Sequence, residues 1–243
     1  MFSIIQAEWY KLRKTKGMLV WLAGPLVGLA MGLLNGGMDL DPGVNAWYLQ
    51  LVYSNIVYAL LFLPLITAVL ASLICRYEHQ AGGWKHLLAL PITRGQLFVA
   101  KYSLLLFLVF VMQILYMGSI YLAGKFNGFA DPFPLAIVWK SIFGGWVAAF
   151  PLLALQLGLS ILFRSFAIPL AINVIFTLPT LLVVNSNKVA PYYPWAQPFS
   201  MMYIREGESS LFYVPWDQLL TVVGGSFVLF FLGSYLYFQR KAV

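Results

Sequence analysis

The side chains best suited to chemistry gather in one stretch, RYEHQAGGWKHLLALPITRGQLFVAK, residues 76–101. It holds both histidines of the chain, His79 and His86, with Glu78 beside the first. Two imidazoles and a carboxylate would suit a metal site or an acid–base pair. The spacing argues against both. The histidines stand seven positions apart across Gly82-Gly83, which is no recognised metal spacing, and neither has a Ser or Cys partner in the manner of a nucleophilic triad. The sequence contains no H-E-x-x-H and no G-x-x-x-x-G-K-[ST], and so neither that zinc motif nor the phosphate cradle of an ATP site. No catalytic residue, metal or bound cofactor is expected on this chain. Cys75, the single cysteine, has no internal disulfide partner and reads as a packed residue.

The same stretch is more informative as a shape. Tyr77 to Ala81 continue a helix that comes out of an apolar run, and the paired glycines break it. Trp84, Leu87 and Leu88 then share one face of a short helix, flanked by Lys85 and His86, and Pro91 ends it. Thr93 with Gln96 fits a capping box opening the next helix. Two spanning helices need only a tight turn between them. A loop this elaborate suggests a docking element, the alternative being an interfacial helix with no partner. Glu78 sits where an unpaired carboxylate is costly. It reads first as one half of an ion pair holding the loop, with Arg76, Lys85 or Lys101, and second as a direct contact to a partner.

The elements around this stretch follow from composition. Of 243 residues, 61% are hydrophobic and 9% charged, and the mean hydropathy is +0.83. A soluble domain carries roughly 25% charged residues, so the chain reads as an all-α polytopic membrane protein. A span needs about 20 apolar residues at ~1.5 Å each. Six stretches qualify, at about 18–34, 53–75, 98–123, 137–163, 166–184 and 219–238. They leave an N-terminal interfacial segment over 1–16, a loop over 76–97 and an outer loop over 185–217, all within one transmembrane domain. With the N-terminus inside, the inner side holds Lys11, Arg13, Lys14, Lys16, Arg76, Lys85, Arg94, Lys101, Arg164, Arg240 and Lys241. The outer side holds only Lys125, Lys140, Lys188 and Arg205. This asymmetry places both termini in the cytoplasm. The net charge of +7 therefore reads as membrane orientation, and nucleic acid is excluded as a partner. No cleavable signal peptide is visible.

Three further segments could carry function. On an N-terminal helix, Phe2, Ile5, Trp9 and Leu12 share a face while Lys11 and Lys14 point away, with Arg13 beside them. That is an interfacial helix against membrane lipid, either a plain anchor or an elbow that also touches a partner. In the outer loop, four prolines (Pro191, Pro194, Pro198, Pro215) forbid a long helix. The aromatics Tyr192, Tyr193, Trp195 and Phe199 forbid free solvation, so the segment lies on the outer leaflet or folds back over the spans. It reads as an aromatic belt or as a contact surface for an amphipathic substrate. Inside the spans, Gln113, Gln156, Asn173, Ser119, Ser141 and Ser160 read as hydrogen-bonding links between helices. Lys101 and Lys140 lie near span ends, where they can snorkel. No ionisable group falls near a span centre, against the pattern of an ion-coupled carrier. Five prolines within the spans, Pro25, Pro64, Pro151, Pro169 and Pro179, each remove a backbone donor and can kink the helix, read as packing geometry or as a hinge.

The opening AEWYKLRKTK (residues 7–16) and the loop YEHQAGGWKHLLALPITRGQLFVAKY (77–102), set in a six-span layout, resemble the permease subunit of a type-2 ABC exporter. The likeness is to the small bacterial permeases of lantibiotic self-immunity and bacitracin resistance. It implies that the loop is a coupling helix docking on a separate ABC ATPase, through Glu78, Gly83, Trp84, Lys85, Leu87, Leu88, Pro91 and Arg94. It also implies that ATP and Mg bind that ATPase, and that two permeases assemble, this chain with itself or with a sibling. The bacterial cytoplasmic membrane and an amphipathic peptide cargo such as a lantibiotic follow as expectations. A lipid, a small antibiotic or an ion is the alternative cargo, and a non-transporting receptor or assembly factor the alternative function.

Overall fold

The computed structural model describes residues 2–35, 45–79, 83–84, 91–203 and 216–241, the side chains of Lys16, Met18, Trp216 and Gln218 apart. Among these residues every regular element is helical. Helix α1 is Phe2–Arg13, and a 3-10 turn at Lys16–Leu22 leads into α2, Ala23–Leu34. Helix α3, Ala46–Val57, passes through one π-helical turn, Tyr58–Phe62, into α4, Leu63–His79. Then come α5, Arg94–Phe126, α6, Leu135–Ala148, and α7, Phe150–Leu162. The rest are α8, Ala167–Thr177, the short α9, Thr180–Val183, a 3-10 turn at Ala190–Tyr192, α10, Gln197–Met202, and α11, Trp216–Arg240.

Four rods are long and apolar enough to cross a membrane: Ala46–His79, Arg94–Phe126, Leu135–Leu162 and Leu219–Arg240. The apolar helices Leu19–Leu34 and Ala167–Val183 are shorter. The chain is a helical membrane protein. The first long rod begins well before the expected edge at Tyr53. The Asn45 side-chain oxygen accepts from Trp47 N (2.9 Å) and starts the helix there. Gln50, Ser54 and Asn55 dilute the hydropathy of its first turns, yet all three are buried. Hydropathy marks lipid depth, whereas capping marks where a helix begins.

The five span prolines share one placement. Pro25, Pro64, Pro151 and Pro169 each fall in the first turn of α2, α4, α7 and α8, and Pro179 immediately precedes α9. A first-turn proline removes a donor that had no intrahelical partner anyway. Pro64 and Pro151 lie inside continuous rods, Pro64 just after the π-helical turn and Pro151 just after the one-residue junction at Ala149.

Helix α2 lies along α5 on a glycine stripe that hydropathy does not single out. Gly24, Gly28 and Gly32 recur every four residues and are buried. A Cβ on Gly24 would stand 2.9 Å from the Tyr58 ring, one on Gly28 2.7 Å from the Tyr116 ring, and one on Gly32 2.7 Å from the Gln50 amide. Small residues at this spacing let two helices approach closely in a membrane, where packing is the driving force. Tyr58 and Tyr116 stack beneath the stripe at 3.8 Å between ring centroids.

Candidate functional site

At one end of the bundle four charges meet. Lys11 from α1 contacts Glu8 at 2.6 Å and Glu78 from α4 at 2.9 Å. Lys101 from α5 contacts Glu8 at 2.5 Å and Glu78 at 3.1 Å, and donates to the Ile74 carbonyl at 3.0 Å. Two ammonium groups balance two carboxylates. Lys101 is 0% exposed and the two carboxylates are nearly so, while Lys11 forms the partly open edge at 31%. Lys101 does not snorkel as its place near a span end suggested. Its stem runs inward because two carboxylates and a carbonyl receive the ammonium there. Lys11 likewise turns into the cluster instead of away from the bundle.

Trp84 extends this junction. It is 5% exposed and packs against the rings of His79 (5.6 Å) and Phe238 (5.2 Å). The ammonium groups of Lys101 and Lys241 both lie 5.8 Å from its ring centroid, in cation–π range. Its indole N–H donates to His79 Nδ1 at 3.3 Å, and His79 Nε2 donates to the Ser160 carbonyl at 2.7 Å. Both ring nitrogens are thus used in the way only one neutral tautomer allows. A Cβ on Gly83 would come within 2.7 Å of the Tyr77 carbonyl and 2.9 Å of Glu78 Cα. Glycine is required there by the close approach of backbone to backbone. Arg94 Nη1 donates to the carbonyls of Gln239 (3.1 Å) and Lys241 (2.5 Å) and so caps the end of α11. Thr93 and Gln96 form both bonds of the expected capping box.

Of the residues assigned to docking, Glu78, Trp84 and Arg94 thus face this chain's own helices, Gly83 packs on the end of α4, and Pro91 is exposed. Lys85, Leu87 and Leu88 lie outside the described residues, as do Gly82 and His86. On α1, Trp9 is half-buried, and Arg13 and Lys14 are exposed.

A second polar group lies inside the bundle. Asn55 Nδ2 donates to the Met202 carbonyl (3.0 Å) and to Ser141 Oγ (3.2 Å), Ser141 donates to the same carbonyl (2.6 Å), and Tyr116 donates to Asn55 Oδ1 (3.0 Å). Tyr58 donates to Gln113 Oε1 at 3.1 Å. Asn173 Oδ1 accepts from Trp195 Nε1 (2.7 Å) and from Gln156, while its amide donates to the Pro64 carbonyl (3.0 Å). The segment through α10 is thereby drawn between the helices, and residues 194–202 are buried. Of the four aromatics read as a substrate surface, Phe199 is fully buried and Trp195 is 6% exposed. Tyr193 is half-buried and donates to the Phe176 carbonyl at 2.6 Å, and its partial burial raises its phenol above the usual range. Tyr192 is open, at 64%. Arg205, Glu206, Glu208 and Pro215 lie outside the described residues.

The glycine stripe, the Lys11 contact and Asn55 are among the parts sequence reasoning missed. The first had a signal, small residues at a four-residue spacing. The second had none, because its partner Glu78 is 67 positions away.

A search of curated proteins gave no match. A family model described as ABC-2 family transporter protein matches residues 4–180. The match takes in α1, the ion cluster, the whole of residues 76–101 and every helix through α8. The chain therefore belongs to the ABC-2 family of transporter proteins, as a membrane-spanning permease of an ABC exporter.

Proposed function

We propose that this permease receives the stroke of a separate ABC ATPase through residues 76–97 and passes it to its helices through the Glu78–Trp84 junction. The observation that carries the reading is where the root of the loop is fastened. Glu78 bonds to cations from α1 and α5, and Trp84 is wedged against α4 and α11. A displacement of the loop is delivered to four helices at once, since a close-packed interior transmits strain instead of absorbing it. In this arrangement Glu78, Gly83, Trp84 and Arg94 hold the lever. The face carrying Lys85, Leu87, Leu88 and Pro91 meets the ATPase.

The chain crosses the bacterial cytoplasmic membrane six times with both termini in the cytoplasm. It pairs with a second permease, itself or a sibling, around the export path, and ATP with Mg stays on the ATPase. The cargo is an amphipathic antimicrobial peptide such as a lantibiotic, met on the outer side at Tyr192 and Tyr193. Removing it from the membrane confers immunity or resistance.

The test is co-purification of the full chain from its native host, with partner chains identified by mass spectrometry and ATP hydrolysis followed on adding peptide. A chain bearing an ATP-binding loop is expected to co-purify, and Leu87→Asp with Leu88→Asp to release it. Trp84→Ala is expected to keep the ATPase bound but lose peptide-stimulated hydrolysis. Co-purification of no ATP-binding chain would refute the reading and point to a non-transporting receptor. Stimulation by a lipid or small antibiotic and not by peptide would replace the cargo.

A further inference from the structure

Beside the junction lies a cavity of about 330 Å³ between α4, α7 and α8. It is lined by Ser72, Arg76 and His79 on one side and by Ser160 and residues 163–166 on the other, with Pro169 closing it. Arg76 and His79 also belong to the segment the exporter reading uses, but that reading gives the cavity itself and Arg164 no role. Arg76 and Arg164 both line this one space. Neither has a carboxylate partner among the described residues, and no acidic side chain lines the cavity. Lys241 adds to the positive field, since Arg164 is near enough to help lower its ammonium, whose chief cause is partial burial. Like charges lining one space without an acidic neighbour favour an anion there.

We infer that this cavity is a binding site for the phosphate headgroup of an anionic phospholipid, a resident lipid holding α4, α7 and α8 together. Three features select that chemistry. The arginines supply planar, forked donors suited to phosphate oxygens. The floor is polar and buried. Ser72 and Ser160 share one hydroxyl–hydroxyl bond at 3.2 Å, which leaves one hydroxyl proton to give. The N-terminus of α8 opens at the rim, where Ser165 Oγ already accepts from Ala167 N (3.2 Å), so the positive end of the helix faces the same space.

The apolar part favours a lipid over free phosphate. Phe163 and Phe166 form part of the wall, and Phe166 and Ile168 are exposed at 39% and 43%. They continue the cavity onto the membrane-facing surface of α8, where acyl chains lie. Basic pockets between spans on the cytoplasmic side are a recognised lipid-binding form, and the leaflet rests on the orientation proposed above. His79 is not a ligand, because both its nitrogens are engaged.

The test uses the full chain alone in detergent, without ATPase or peptide, so that it stands or falls separately from the exporter reading. Native mass spectrometry follows binding of phosphatidylglycerol, phosphatidylcholine and glycerol phosphate. Wild type is expected to retain phosphatidylglycerol at least tenfold more strongly than phosphatidylcholine. Arg76→Gln with Arg164→Gln is expected to abolish that preference. Both arginines are exposed, so the variant should keep the wild-type melting curve when lipid is absent. Arg164→Glu serves as a second variant, expected to reverse the preference. Equal retention of both lipids by wild type, or an unchanged preference in the double variant, would overturn the site. Binding of glycerol phosphate with no preference between lipids would overturn the lipid and assign a soluble phosphate.

Discussion

Lys101 shows how far a residue's neighbours change its meaning. Its position near a span end suggests a cation reaching for water. In the structure it stands between Glu8 and Glu78, 93 and 23 positions away in sequence, without any exposure. A buried pair of this kind does not guarantee net stability, but removing one member leaves an uncompensated charge, at about 3–5 kcal/mol. Lys101→Met is therefore expected to lower the melting temperature in detergent sharply. Adding Glu8→Gln and Glu78→Gln to the same chain is expected to restore most of it. If the single and the triple variant melt alike, the cluster is not energetically coupled. Glu78 follows the same lesson. Of the cations expected for it, Lys101 reaches it, joined by Lys11, while Arg76 lines the neighbouring cavity and Lys85 lies outside the described residues.

Among the elements, α2 depends most on tertiary contact. It is short for a membrane crossing, and its packing rests on Gly24, Gly28 and Gly32. Gly28→Leu would drive a side chain into Tyr116 and Ser119, and overpacking of this kind costs about 1–3 kcal/mol or displaces the helix. The variant is expected to melt earlier and to broaden on size exclusion. Gly118→Ala on α5, where nothing lies within 4 Å of the added carbon, is the control expected to be neutral. Equal behaviour of the two would remove the glycine stripe from the account.

For the molecule as a whole, the proposed six-crossing arrangement makes a prediction that its single cysteine renders simple. Cys75 is buried, so the wild-type chain should be silent to a membrane-impermeant maleimide. Lys188→Cys is expected to label in intact cells. Lys14→Cys and Arg240→Cys are expected to label only after permeabilisation. Labelling of Lys14→Cys and Lys188→Cys from the same side would refute the orientation. The buried ends of the two polar networks also divide the molecule. The ion cluster and Trp84 gather α1, α4, α5 and α11 at one end. The Asn55 and Asn173 networks hold the segment through α10 between the spans.

Composition alone determined that this chain lives in a membrane as helices, because so few charged residues cannot coat a soluble surface. Spacing alone determined the Thr93–Gln96 cap, since capping is local to three or four residues. Only the tertiary structure decided that Lys11 and Lys101 share Glu78, that Trp84 and Phe199 face inward, and that Arg76 and Arg164 line one cavity. Each of these joins residues far apart in the chain, and a one-dimensional pattern does not encode which buried polar groups will find one another once helices pack. Residues 76–101 hold both histidines of the chain. The root of this loop is held by Glu78 and Trp84, whose partners only the packed helices supply.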